Sequence, residues 1–189
     1  IASRIGKKDI PKKFLNADLV FAAPVINEID LDVISLFETN FVVANLQGWL
    51  RKVDKTGLVD KKVIDLEQIL SYVDIAIISH EDINDGAVLE IWKDKVDVLV
   101  VTIGSGGCKF NVDDKWYHVP AIKAAELDAV GAGDIFATAY MVKYFQTFDC
   151  FQSATFANYV AGVSIEGERT TRLTESLLHD MQNELWIDV

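Results

Sequence analysis

Cysteine and proline are scarce in this chain: two cysteines, Cys108 and Cys150, and three prolines stand among 189 residues. Two cysteines allow one pair at most, and neither a CxxC nor a Cys/His ligand spacing occurs, which points to a reducing compartment and away from structural zinc. Three prolines are too few for a stiff spacer. No low-complexity stretch, linker or internal repeat interrupts the pattern, so residues 1–189 read as a single domain. No apolar run reaches the length of a membrane span, and the charges within residues 1–20 interrupt the core that a signal peptide would need. A cytoplasmic protein without a membrane partner is the expectation. Positive charge is also short, with 18 Lys and Arg against 29 Asp and Glu and a formal net charge of −11. Such a surface repels phosphate backbones, which argues against a nucleic-acid partner. The nearest basic cluster, Arg4, Lys7, Lys8, Lys12 and Lys13, reads as a solvated end.

Apolar residues, by contrast, make up half of the chain, enough for a sizeable core. Short apolar, β-branched runs at 19–26, 41–46, 75–79 and 98–104 read as buried strands. Amphipathic segments at 29–38, 63–73 and 81–94 lie before the second, third and fourth of them and read as helices. That alternation is the signature of βαβ units and a parallel sheet. After residue 104 the runs CKFNV and KWYHVPA, joined by two aspartates, read as an antiparallel hairpin at a sheet edge. Helices are expected over 131–145, 151–166 and 173–186.

Two glycine-rich segments fall where the chain leaves such elements. TIGSGG, 102–107, follows the fourth strand, and its glycines let backbone N–H groups approach an anion. A tight turn into the hairpin accounts for them equally well. The segment is neither a Walker loop nor GxGxxG. DAVGAGDIFATAY, 128–140, is more specific. Gly131, Ala132 and Gly133 leave the first N–H groups of a helix unshielded, and with the helix dipole these make an anion hole for a phosphoryl group. Asp134 then falls in the first turn, placed to take a proton from an attacking hydroxyl. Simple helix capping by Asp128 or Asp134 is the alternative; it explains one aspartate and one glycine but not the whole pattern.

DAVGAGDIFATAY resembles the DTxGAGD signature of the ribokinase-like (PfkB) carbohydrate kinases. ANLQGWLR (44–51), VVTIGSGGCKF (100–110) and FANYVAGVSI (156–165) are similar to that family in order and spacing. The resemblance implies an α/β fold with a mostly parallel sheet flanked by helices on both faces, a three-layer sandwich. It implies ATP-dependent phosphoryl transfer to a hydroxyl of a sugar or sugar-like molecule, with magnesium and a monovalent cation as cofactors, though no side chain here locates the latter. By position, Asp134 matches the general base, and Gly131, Ala132 and Gly133 the anion hole. Gly104, Ser105, Gly106, Asp128 and Asn158 match the nucleotide side, and Arg51 a site for neutralising substrate phosphate charge, with an exposed salt bridge as its alternative.

The sequence departs from the family pattern in three places. Ala129 replaces the usual Thr. Ser79 and Asp82 stand where the family's NxxE motif has Asn and Glu, so Asp82 becomes a magnesium-side residue acting through water, with helix capping by either residue as the alternative. Nothing in residues 1–40 resembles the family's first strands, its GG sugar motif or its β lid, so the lid is expected to be absent and the chain to begin part-way into the family domain. The acceptor is therefore open, and a nucleoside kinase or a nucleotide-binding domain without catalysis remain alternatives, as does a homo-oligomer. His118 and His179 read as surface or core residues.

Overall fold

A computed structural model of the chain describes residues 3–167, so the expected helix over 173–186, and His179 with it, lies outside the described residues. In chain order the strands are β1 (Leu19–Ala22), β2 (Phe41–Asn45), β3 (Arg51–Val53), β4 (Val59–Lys61), β5 (Ile75–Ser79), β6 (Val98–Thr102), β7 (Cys108–Val112) and β8 (Lys115–Val119). The α-helices are α1 (Glu67–Leu70), α2 (Ala87–Trp92), α3 (Ala132–Thr147) and α4 (Cys150–Ser164). Two compact units are distinguished, Ile1–Thr102 with Lys109–Tyr117, and Ile103–Cys108 with His118–Val189.

The first unit is built on the sheet, whose strand order is β1-β2-β5-β6-β7-β8. β1, β2, β5 and β6 pair in parallel, with Val43 opposite Ile75 and Ile75 opposite Val98. Alternate residues point to opposite faces of a strand. Val42, Ala44, Ala76, Ile78, Leu99 and Val101 on one face pack with Val33, Ile34, Trp49, Leu70 and Trp92. Val43, Ile75, Ile77, Val98 and Val100 on the other face are buried too. Burial on both faces is why these runs are apolar throughout instead of alternating. Trp49 is fully enclosed and its indole N–H donates to Ile29 O at 2.7 Å, so a large apolar body is buried with its polar atom satisfied. In the sheet, Val42 N–H donates to Asp74 Oδ2 at 2.6 Å. Burial nevertheless pushes the Asp74 carboxyl above the ordinary aspartate range, and the charge of Asp97 adds to the rise.

The helices expected between strands are shorter than the sequence suggests. Residues 29–38 contain a 3-10 helix at Leu31–Phe37, α1 occupies only the middle of 63–73, and 81–94 begins within a 3-10 turn, His80–Asp82, and then holds α2. Aspartates set two of these late starts: Asp65 Oδ1 accepts the Glu67 N–H at 2.8 Å and Asp85 Oδ1 the Ala87 N–H at 2.9 Å. Each carboxylate offers the backbone a turn in place of an earlier helical start. β3 and β4 form a separate antiparallel ribbon that the sequence did not announce. The hairpin of β7 and β8 lies where expected, at the end of the sheet order. Its two linking residues, Asp113 and Asp114, have φ of 50° and 58°. Positive φ at both central positions is the type I′ geometry that matches strand twist, and aspartate tolerates it better than most residues. The Lys93 ammonium bonds the Asp114 carboxylate across to this turn.

In the second unit α3 and α4 pack side by side and are joined by a two-residue turn. Phe148 closes α3 at φ 52°, and Asp149 caps α4 by accepting the Gln152 N–H at 2.9 Å. Small residues on α4, Ser153, Ala154, Ala157 and Gly162, are buried and allow close approach.

Candidate functional site

In open parallel sheets, ligands bind outside the carboxyl ends of the strands. β2 and β5 are neighbours, and both run on at that edge into 3-10 turns, Leu46–Leu50 and His80–Asp82. The first turn delivers Arg51 and the second Asp82, and the two side chains meet. Arg51 Nε–H donates to Asp82 Oδ1 and an Nη2–H to Asp82 Oδ2, each at 2.8 Å. This is the paired, bidentate geometry that a planar guanidinium and a carboxylate favour. Asp82 is 6% exposed and Arg51 about a third exposed. Ser79 caps the turn, its hydroxyl accepting the Glu81 N–H at 3.3 Å. His80 Nδ1 lies 3.3 Å from Thr102 O, which ties the ends of β5 and β6.

The second unit holds the other expected residues. Gly104–Gly106 form a single 3-10 turn, closed by Gly107 N–H to Gly104 O at 3.0 Å and by Ile103 N–H to Gly107 O at 2.7 Å. Gly104, Ser105 and Gly106 are exposed, as a loop that receives a ligand requires. Gly107 is different: it is buried at φ +89°, and a Cβ there would lie 2.2 Å from Val119 O and 2.5 Å from Ala121 N. His118 Nε2 lies 2.8 Å from Gly106 O, so the exit of β8 is tied to the loop at two points. Neither link was read from the sequence, although the second glycine of the GG pair was the available signal.

Gly131 stands at the N-terminus of α3 with φ 84°, a left-handed conformation open to glycine at little cost. Asp128 Oδ1 accepts the Val130 N–H at 3.0 Å and shapes the turn before it. That bond belongs to the turn and not to the helix: the N-cap of α3 is Gly131 and no side chain caps it, so simple capping by Asp128 or Asp134 does not describe this helix start. Asp134 lies in the first turn of α3 and is exposed. A Cβ built on Gly133 would meet nothing within 4 Å, so the approach to this helix start is open. Asn158 is buried, and its side-chain NH2 donates to Val119 O at 3.0 Å and Pro120 O at 3.2 Å. It holds the chain as it leaves β8. Among the described residues no three His, Cys, Asp or Glu side chains gather as a metal cage. A magnesium ion at such a site would take its oxygens from phosphate and water, as magnesium commonly does, with one or two carboxylates at most. No helix among the described residues is long and apolar enough to cross a membrane.

The family model for pfkB family carbohydrate kinases matches residues 51–176, well over half of the chain. The chain belongs to the pfkB family. Within it, the chain is similar to Fructokinase-1 from Zea mays, 34% identical over 61 residues, which are 32% of this chain and 19% of that protein. Among solved structures it is similar to a pyrophosphate-dependent myo-inositol-1 kinase converted into a myo-inositol-3 kinase, with a TM-score of 0.81 and 19% identity over 97% of this chain and 68% of the other. It is similar also to a fructokinase with bound ATP from Xylella fastidiosa, with a TM-score of 0.72 and 16% identity over 95% and 66%. The matches to the maize and rice fructokinases span about a fifth of those proteins' length. The pfkB assignment bears out both the resemblance drawn from GAGD and the mostly parallel α/β class.

Proposed function

We propose that the chain carries the phosphoryl-transfer centre of an ATP-dependent kinase that phosphorylates a hydroxyl of a sugar or sugar-like molecule. The observation that carries this reading is the start of α3. There Gly131 takes the left-handed turn, Gly133 leaves the helix end uncovered, and Asp134 stands in the first turn. Family membership and the ATP-bound fructokinase among the structural relatives support ATP as donor.

The acceptor hydroxyl oxygen attacks the γ-phosphorus while the bond from that phosphorus to the β–γ bridging oxygen breaks, and ADP leaves. Asp134 takes the hydroxyl proton as the new P–O bond forms. The Ala132 N–H is taken by Ala129 O at 3.1 Å, so of the three expected donors it is those of Gly131 and Gly133, with the positive end of the α3 dipole, that meet the charge on the transferred group. In such a transfer most of the acceleration comes from positioning and electrostatics, which is what a backbone cradle supplies. Magnesium, when bound, neutralises donor phosphate charge. Gly104, Ser105 and Gly106 form the donor-side loop, and Asn158 holds the segment after β8 that flanks the nucleotide.

The test is ATP turnover with magnesium across a panel of sugars and nucleosides, for the chain and its Asp134→Asn variant, with nucleotide binding followed in the same samples. Turnover that vanishes in the variant while binding survives supports the reading, and the best acceptor separates a sugar kinase from a nucleoside kinase. Nucleotide binding with no turnover on any acceptor replaces it with a binding domain without catalysis.

A further inference from the structure

We infer that Asp82 is a positioning residue for Arg51: the buried carboxylate fixes the guanidinium so that its remaining N–H groups receive a phosphoryl-bearing ligand at the carboxyl edge of β2 and β5. The inference rests on the kinase reading and assigns Asp82 a role through Arg51 in place of one through magnesium. Three observations carry it. Each Asp82 oxygen accepts one Arg51 donor at 2.8 Å, and the carboxylate is 6% exposed, so its nearest charge is the guanidinium. Arg51 has five N–H donors and spends two on Asp82. Among the described residues it has no other carboxylate partner, and about a third of its side chain stays exposed. Third, Arg51 pairs directly with Lys61 across the β3–β4 ribbon, which puts both side chains on one face.

Like charges placed opposite each other in a ladder repel. Asp82 neutralises only one of them, and Lys61 forms no ion pair among the described residues. The face therefore keeps a surplus positive charge beside a guanidinium locked in one orientation, which suits an anion with several oxygens. A purely structural account is weaker, because a buried ion pair contributes little net stability compared with an apolar pair of the same volume. Pre-organisation is what the carboxylate adds. A free arginine would lose side-chain entropy on binding phosphate, and one already held does not.

The test measures affinity for inorganic pyrophosphate in EDTA by calorimetry, and then the magnesium dependence of ATP binding, for the chain and its R51Q, D82N, D82E and R51Q/D82N variants, with melting temperatures recorded. D82N and R51Q are each expected to weaken metal-free pyrophosphate binding roughly tenfold, the size of one lost charge-assisted hydrogen bond. The double variant is expected to be no weaker than R51Q alone, and D82E to recover part of the loss. Three outcomes overturn the inference while leaving the kinase reading intact: losses that add in the double variant, D82N leaving metal-free affinity unchanged while raising the magnesium requirement, or variants that lower the melting temperature and bind pyrophosphate as the parent does. A parent chain that binds neither pyrophosphate nor ATP overturns both.

Discussion

The side chain of Asn158 and the carbonyl of Val119 are joined by a 3.0 Å hydrogen bond, and the same NH2 group reaches the next carbonyl, Pro120 O, at 3.2 Å. One amide thus satisfies two consecutive main-chain acceptors as the chain leaves β8. Replacing Asn158 with Leu removes both donors, and a lowered denaturation midpoint corresponding to about 1–3 kcal/mol is expected. Asn158→Asp should be worse, because an acceptor-only carboxylate then faces two carbonyl oxygens. If the Leu and Asp variants melt together with the parent chain, the bond does not matter to the fold.

Gly131 and Gly133 make opposite predictions although they are two residues apart. Gly131→Ala forces a side chain into φ 84° and is expected to lower stability by roughly 1–2 kcal/mol. Gly133→Ala introduces a better helix former into open space and is expected to leave the melting temperature unchanged or raised. Its cost should appear in ligand affinity, because the added methyl stands where a phosphoryl group would approach. Paired thermal melts and nucleotide titrations separate the two effects.

Gly107→Ala is predicted to be severely destabilising. The added carbon would lie 2.2 Å from Val119 O at a φ of +89°, so both the contact and the backbone conformation are refused. Gly104→Ala, also at positive φ but with nothing within 4 Å, should pay only the conformational term. Equal melting of the two variants would remove the claim that the β8 exit is packed on this glycine.

The Cys108 thiol is buried and pushed up to about 12 by that burial, against a weaker opposing hydrogen bond from the Asn158 amide. At neutral pH it stays a thiol, and thiolate is the reactive form. Alkylation of Cys108 by iodoacetamide is therefore expected only after unfolding, as peptide mapping of native and urea-treated samples would reveal. The linkage has a sign. Because the folded value lies above the unfolded one, the thiol's stabilising contribution is complete below the ordinary cysteine range and is lost as pH rises from there toward about 12.

Asp74 gives a second pH dependence, at the acid end. Its carboxyl is raised by burial, so its favourable contribution is present below the ordinary aspartate range and is lost as pH climbs through the folded value. Asp74→Asn keeps an oxygen for the Val42 N–H and removes the titration. The variant should gain on the parent over the interval in which pH rises above the ordinary aspartate range, as urea titrations would read. A constant difference across that interval would contradict the assignment.

The four parallel strands and the β7–β8 hairpin were legible because burial on both faces writes continuous apolar runs and because two aspartates tolerate a type I′ turn. The β3–β4 ribbon was not, since RKV and VDK are charged and show no alternation to read. Helix lengths between strands were overestimated because Asp65 and Asp85 act as local hydrogen-bond acceptors whose effect depends on rotamer, not on period. At the site, the start of α3 was readable from its small residues. The meeting of Arg51 with Asp82 was not, because it comes from two turns brought together by the pairing of β2 with β5, and 31 positions separate the residues.

The sheet order, β1-β2-β5-β6-β7-β8, rises steadily with chain position once the β3–β4 ribbon is set aside. From β1 onward, a chain emerging from the ribosome can therefore lay down each of these strands against the previous strand of the sheet, always at the same advancing side. Among the described strands, no finished ladder has to open to admit a later one. Parallel pairing is slow when distant segments must find each other. From β1 to β8 that search is divided into short successive steps, each strand leaving a new margin for the next one made.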